Sequence, residues 1–429
     1  MRQFSIRKII IYTAAFIASV LILMGALVLS AMIPRAALRD NMLSSAELLC
    51  EHPDYYNLIE TVPATQVHNY ADIVLLNIAY HFDESDPLRS VMLAEYYYED
   101  GRFQNASFLN SIKSSPEPSA NTQYLRYWHG SAGLARLSHL FTNIHGMHII
   151  CAVIITALTI LLLYLLIRRK LYAGAVGTAA AFIMAGIWMV PFTLEYSWVF
   201  IISLTMSVIA VKLVRKDKPE TLGIAFMICG IITNYLDFLT CETLTLLIPL
   251  LLAVYMRRER AIRDNILFSV KNTVLWGVGY VGMWVTKWIA AAAVLGEDVM
   301  PYITGHIAER IAGSGQLDTL GYITESLLKN LSCLFPYSYH GAGIVVSIVI
   351  ALGLAYVCFV YRRKGANYKL MLLYAIIGLV PYIRFTVLHG HSYGHYFFTY
   401  RAQAAAVLAV CLIIYELIGG RGNVKRKRT

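Results

Sequence analysis

Hydrophobic residues come in long runs along this chain, broken by short basic or polar stretches. The first run covers 9–33. Others cover 147–167, 172–191, 196–213, 221–237, 241–256, 272–293, 342–361, 369–388 and 402–418. Apolar runs of about 18 or more residues with few charges are long enough to cross a bilayer as helices. The pattern predicts about ten spans. The first run follows Arg2, Arg7 and Lys8 and has no small-residue cleavage site behind it. It is too long for a signal-peptide core and reads as a retained anchor.

Three stretches interrupt the pattern. Residues 34–146 are polar yet rich in aromatic and aliphatic side chains, and their apolar spacing predicts short helices over 36–49, 70–80, 87–97 and 131–141. Pro87 stands at a helix-starting position, Asp83–Asp86 is a turn and 114–121 a loop. Amphipathic helices beside a membrane tend to lie in its interface, so this segment is expected to form a lid of interface helices. A second break, 294–341, ends in an aromatic patch at 335–339. The third, 388–401, is short and dense in His and aromatics. The expected fold is an all-α polytopic membrane helical bundle. Its parts are a cytoplasmic N-terminus and first span (1–33), an outer segment (34–146), spans two to seven (147–293), a second outer loop (294–341), spans eight to ten (342–418) and a basic tail (419–429). No internal repeat is visible.

Composition agrees: 58% of the 429 residues are hydrophobic and 14% charged, against roughly 25% charged in soluble domains. Charge placement adds an orientation. Basic residues cluster at the N-terminus, at 168–170, 212–220, 257–264 and 362–369, and in the tail. Those segments hold 23 of the 36 Lys and Arg but only 4 of the 26 acids. By the positive-inside rule both termini are cytoplasmic, in a multi-pass plasma-membrane protein. The net charge of +10 and the Lys425–Arg428 tail then follow from topology and anionic lipid, and no nucleic-acid partner is expected. Seven cysteines show no metal-ligand spacing, there is no HExxH stretch, and no metal site is expected.

Ionisable groups at membrane depth are costly and mark candidate sites. They gather here near the outer boundary: Glu195, Asp237, Glu242, Lys287 and Arg384. Beyond them lies a loop carrying His389, His391, His395 and Arg401. Several donors within thirteen residues suit one anion. The aromatics alone read as interfacial belts, and Lys287 reads equally as a snorkelling lysine. In the outer segment, Asp72 opens an otherwise apolar helix, where a carboxylate either favours the helix dipole or faces a cleft. Asp40 is an alternative acid nearer the first span. Arg126, Tyr127, Trp128 and His129 form a second polar-aromatic cluster.

A first span, a long outer loop carrying an acid, and about nine further spans resemble the GT-C superfamily of membrane glycosyltransferases. The Tyr-Leu-Arg-Tyr-Trp-His-Gly stretch at 124–130 and the His-Ser-Tyr-Gly-His-Tyr-Phe-Phe-Thr-Tyr-Arg stretch at 391–401 are similar to a bacterial branch near that superfamily. So are Asn-Tyr-Leu-Asp-Phe-Leu-Thr at 234–240 and Trp-Val-Thr-Lys-Trp at 284–288. The chain has no His-Pro-Pro-Leu stretch, no acidic dyad close behind the first span and no Asp-x-Asp motif.

The resemblance implies a bacterial cell membrane and a sugar donor linked to polyprenyl phosphate, with no further cofactor. It implies a cell-surface glycan or lipid as acceptor. A carboxylate would accept the acceptor's proton, with Asp72 ahead of Asp40. Arg384, His391, His395, Arg401 and Lys287 would stabilise the phosphate leaving group. Tyr127 and Trp128 would stack on the sugar and His129 bond it. The remaining substrate-binding candidates are Arg126, Asp237, Glu242 and His389. The competing reading is a transporter or flippase for a lipid-linked or anionic substrate. It calls for charges deep in the bundle and for related halves, neither of which the sequence displays.

Overall fold

The computed structural model describes residues 6–236, 239–312, 315, 317–334 and 342–419. A long first helix, α1 (Ile6–Ala31), leads into the first inter-span segment. That segment holds α2 (Arg35–Cys50), a short antiparallel pair joining Tyr56–Asn57 to Gln66–Val67, α3 (Asn69–His81), α4 (Pro87–Leu93), α5 (Gln104–Lys113) and α6 (Gly130–His139). The bundle continues with α7 (Ile144–Arg168), α8 (Tyr172–Met184), α9 (Leu194–Arg215), α10 (Pro219–Leu236), α11 (Leu244–Met256) and α12 (Ile262–Leu295). Two helices cross the second loop, α13 (Met300–Ala312) and α14 (Thr319–Leu334). They are followed by α15 (Ala342–Tyr361), α16 (Tyr368–Val387), the short α17 (His389–Gly394) and α18 (Tyr396–Thr399), and α19 (Ala404–Ile418).

Seven helices among the described residues are long and apolar enough to cross a membrane: α1, α7, α9, α10, α12, α16 and the stretch Tyr396–Ile418. The apolar helices α8 and α11 and the stretch Val345–Tyr361 are shorter. An all-α membrane bundle follows. The aromatic patch expected at 335–339 and the basic tail from 420 lie outside the described residues.

Close backbone approach locks α10 to α12. A Cβ on Gly230 would sit 2.1 Å from the Trp276 carbonyl oxygen, and one on Gly279 would sit 2.1 Å from that of Met227. Only glycine fits at either position, as is usual where membrane helices touch. At one end of these helices Glu220 accepts from Lys8 Nζ (2.8 Å), Lys271 Nζ (3.0 Å) and the Tyr12 hydroxyl (3.1 Å). At about 1.5 Å per residue the 34 residues of α12 reach roughly 51 Å, well beyond a hydrocarbon core of about 30 Å. Its far end therefore rises into the inter-span segment.

That segment is a packed unit. Every side chain of α3 except Tyr70 and Ala71 is buried. Leu38, Met42, Leu76, Tyr80, Phe108 and Trp128 share one core with Leu27 of α1 and Met283 of α12. The helix expected over 87–97 stops at Leu93, where Ala94 takes a left-handed backbone (φ 49°). Two buried cations fasten the unit to the spans. The Arg136 guanidinium donates to the carbonyls of Ser30, Ile33 and Ala79, closing the ends of α1 and α3. Lys287 Nζ donates to the carbonyls of Val91 (2.8 Å) and Met92 (3.0 Å), closing the end of α4. A helix end leaves its last carbonyls without partners, and these side chains supply them.

Candidate functional site

The site begins with the way α9 starts. Its first N–H groups need partners, and the inter-span segment provides them. Asp72 Oδ1 accepts from the Leu194 N–H at 3.0 Å, and the His68 N–H reaches Thr193 Oγ1 at 3.3 Å. Asp72 Oδ2 meets His148 Nε2 at 2.8 Å. With α9 held in this way, Glu195 Oε2 lies 2.7 Å from His68 Nδ1, both side chains being at most 7% exposed.

The His68 ring is packed by aromatics. Tyr55 stacks on it at 5.1 Å and Phe398 at 5.6 Å, with Phe397 edge-on at 5.5 Å. An Nδ1–H donated to the Glu195 carboxylate leaves the lone pair of a neutral ring on Nε2. Nε2 is buried and has no partner among the described residues. His68 and Glu195 line a small cavity of about 80 Å3, shared with Tyr70, Tyr124, Arg310, His391 and His395.

The facing wall is basic. His391 and His395 lie one helical turn apart, with ring centres at 4.7 Å. Arg310 Nη1 is 3.2 Å from His395 Nε2. A guanidinium only donates, so Nε2 accepts and Nδ1 of His395 holds the hydrogen. That Nδ1, Nδ1 of His391 and Nε of Arg310 are all buried without partners. Burial, and then the Arg310 charge, push the His395 imidazole down to about 3. Burial and neighbouring His395 hold His391 well below its usual range. Buried polar atoms are nearly always paired, and four orphaned nitrogens around one small cavity mark a place where a ligand supplies the missing bonds. Neutral imidazole N–H and guanidinium N–H groups suit an anion.

Arg310 also borders a larger cavity of about 250 Å3, lined by Arg126, Tyr127, Glu242, Tyr280, Trp284, Trp288 and His306. Arg126 lies over Tyr124 at 4.1 Å and Tyr127 at 5.3 Å. Its Nη1 donates to the Tyr302 hydroxyl at 3.2 Å. Trp276, Tyr280, Trp284 and Trp288 follow one another at four-residue intervals up α12, with successive ring centres 4.9, 5.4 and 5.9 Å apart. The residues below this ladder on α12, with α11 and α16, enclose an apolar groove of about 410 Å3. A polar cavity, an aromatic channel and an apolar groove thus follow one seam of the bundle.

The chain matches no family model, no curated protein and no solved structure. The site is therefore read from its own geometry. Of the residues expected from sequence, Arg126, Tyr127, Glu242, His391 and His395 meet at the two cavities. The others lie elsewhere or have partners of their own. Asp72 is 1% exposed and engaged by Leu194 and His148. Asp40 stands exposed on α2. Trp128 is fully buried, its Nε1 donating to the Met283 carbonyl at 2.7 Å. His129 is buried with Nε2 2.9 Å from the Tyr124 carbonyl. Lys287 closes α4. Arg384 makes a two-pronged bond to Glu242 (2.7 and 3.0 Å), which cancels the charge of both. His389 Nδ1 bonds the Thr386 carbonyl at 3.1 Å. Arg401 bonds the Phe397 carbonyl at 2.9 Å and lies 4.4 Å over Tyr196. Asp237 lies outside the described residues.

Sequence reasoning missed His68, Arg310 and the Tyr55–Tyr70 wall. Arg310 had a legible signal, since Ile303, Ile307 and Arg310 share one face of an amphipathic helix. His68 stands alone in a connection and had none. Among the described residues no group of three His, Cys, Asp or Glu side chains could hold a metal ion.

Proposed function

We propose that this protein is a membrane glycosyltransferase of GT-C type that moves a sugar from a polyprenyl-phosphate carrier to a cell-surface glycan or lipid. The observation that carries the reading is the His68–Glu195 pair facing the orphaned nitrogens of Arg310, His391 and His395 across one cavity. A base on one wall and anion-seeking donors on the other are what substitution at a glycosyl phosphate requires.

The acceptor hydroxyl donates to His68 Nε2 and attacks the anomeric carbon. The bond from that carbon to the phosphate oxygen breaks, and its electron pair leaves with the phosphate. The hydroxyl proton passes to Nε2, and Glu195 stabilises the imidazolium so formed. Arg310 and the two His N–H groups bind the growing charge on the phosphate. Attack from the opposite side inverts the anomeric centre. The aromatics beside Arg126 stack on the donor sugar, and the groove along α12 takes the isoprenoid tail. The base in this reading is His68, with Asp72 setting the position of α9. On this reading the chain makes ten spans with both termini cytoplasmic, and the cavity faces the outer side of a bacterial cell membrane, where lipid-linked donors are used.

Mass spectrometry of cell-surface glycans and lipid-linked sugars, with and without the gene, tests the reading. Loss of one glycosyl substituent with build-up of its polyprenyl-phosphate sugar is the expected result. Unchanged glycans with an altered distribution of the carrier lipid overturn it in favour of a transporter.

A further inference from the structure

A third cavity, of about 260 Å3, opens on the surface of the inter-span segment. His81, at the end of α3, forms part of its wall and is itself 5% exposed. Its Nδ1 lies 2.9 Å from the Asn77 carbonyl. A carbonyl only accepts, so Nδ1 carries the hydrogen and Nε2 presents a lone pair. That Nε2 is buried with no partner among the described residues. A buried acceptor on a cavity wall calls for a donor from outside.

The other lining groups narrow the chemistry. Asp83 accepts from the Ser85 N–H and hydroxyl, Asp86 from the Arg89 N–H, and Glu117 from Arg35, Arg39 and Tyr80. These carboxylates are already in use. Half-buried Glu95 makes no hydrogen bond among the described residues, and the positive charge of Arg89 acts on it. The cavity therefore offers two acceptors without an internal partner among the described residues, His81 Nε2 and Glu95, beside the exposed Arg89 guanidinium as a donor. A free cation meets Arg35 and Arg89, and an anion meets four carboxylates. A ligand whose every group both donates and accepts meets neither obstacle, and hydroxyl groups do both.

Position links this cavity to the first one. Leu93 and Glu95 line it. The Tyr124 N–H donates to the Leu93 carbonyl at 3.2 Å, and Tyr96 pairs with Thr122. Tyr124 in turn lines the cavity of His68. One paired strip of chain separates the two.

We infer that the His81–Glu95 cavity is a carbohydrate-binding subsite that holds the acceptor glycan by its hydroxyl groups, one strip away from the reacting end. The inference rests on the glycosyltransferase reading for the word acceptor, but saccharide binding is measurable without transfer.

The full chain in lipid nanodiscs is titrated with a panel of neutral di- to hexasaccharides, binding being read by saturation-transfer NMR. At least one saccharide binds the unaltered protein. His81→Phe and Glu95→Gln each weaken it by about tenfold, the worth of one lost hydrogen bond to a buried or charged partner. His81→Gln, which keeps a donor and an acceptor, restores part of the affinity. Glu95 is half-buried and makes no internal hydrogen bond, so its variant folds even if His81→Phe does not. No binding across the panel at millimolar concentration overturns the inference, as does unaltered binding in Glu95→Gln. Binding that follows this pattern in a protein without transfer activity upholds the subsite and removes the enzymatic reading alone.

Discussion

A histidine ring packed against Tyr55 and Phe398 has one nitrogen committed to Glu195 and one to spare. That division predicts unequal effects from three substitutions. His68→Gln removes the base and lowers kcat by on the order of 10² to 10⁴, with KM for the acceptor little changed. Glu195→Gln leaves the ring but not the charge that stabilises its protonated form, and lowers kcat by on the order of 10². Asp72→Asn still accepts the Leu194 N–H and holds kcat within about tenfold. Steady-state transfer by the three variants checks the order, and a dead Asp72→Asn beside an active His68→Gln reverses the assignment. The residues that sequence could supply were those with a local pattern. His391 and His395 are four apart on one helix face. Arg384 stands in the same part of the chain and looks equally available. Its neutralising partner Glu242 is 142 residues away, and no local spacing reports that. Asp72 opened an apolar helix and was legible as a capping group or as a reactive one. Its contact with the start of α9 has no local signal in the sequence.

Helices were easier to read than roles. The expected 36–49, 70–80 and 131–141 appear as α2, α3 and α6 with ends shifted by one or two residues, because apolar periodicity and turn residues act locally. The helix α5 was not expected, and α3 was expected at a membrane interface. Its near-complete burial comes from packing against α2, α5 and α6, which periodicity cannot announce. Burial also carries a titration consequence. It pushes His81 down to about 4, His139 to about 4 and His129 to about 3, against about 6.5 in an unfolded chain. The unfolded chain thus takes up these protons first as pH falls. Stability is intact above about pH 6.5 and is lost as pH falls towards 4, by up to about 1.4 kcal/mol per pH unit for each group. Thermal melts in nanodiscs between about pH 7 and 4.5 check this. His139→Gln should melt lower than the parent at neutral pH, because His139 Nε2 meets Ser45 Oγ at 2.9 Å, yet lose less on acidification.

For the molecule as a whole, the legible quantity was the distribution of charge, and the illegible one was how the inter-span segment is fastened to the spans. Lys287 illustrates the second point. A lysine late in an apolar run reads as a snorkelling group. The structure instead spends two of its hydrogens inside, on carbonyls at the end of a helix nearly 200 residues earlier in the chain. Lys287→Met fills similar volume and leaves the carbonyls of Val91 and Met92 without donors, at a cost of about 1–3 kcal/mol for each buried group. Faster protease cleavage within 83–122 of the inserted variant is the expected outcome, with α7 to α11 unaffected. The same bond sets a schedule for synthesis. The ribosome makes the Val91 carbonyl 196 residues before it makes Lys287. At about 5–20 residues per second that is a wait of roughly 10–40 s. Throughout this interval the segment stands without the cation that completes it, and a chaperone has that long to act.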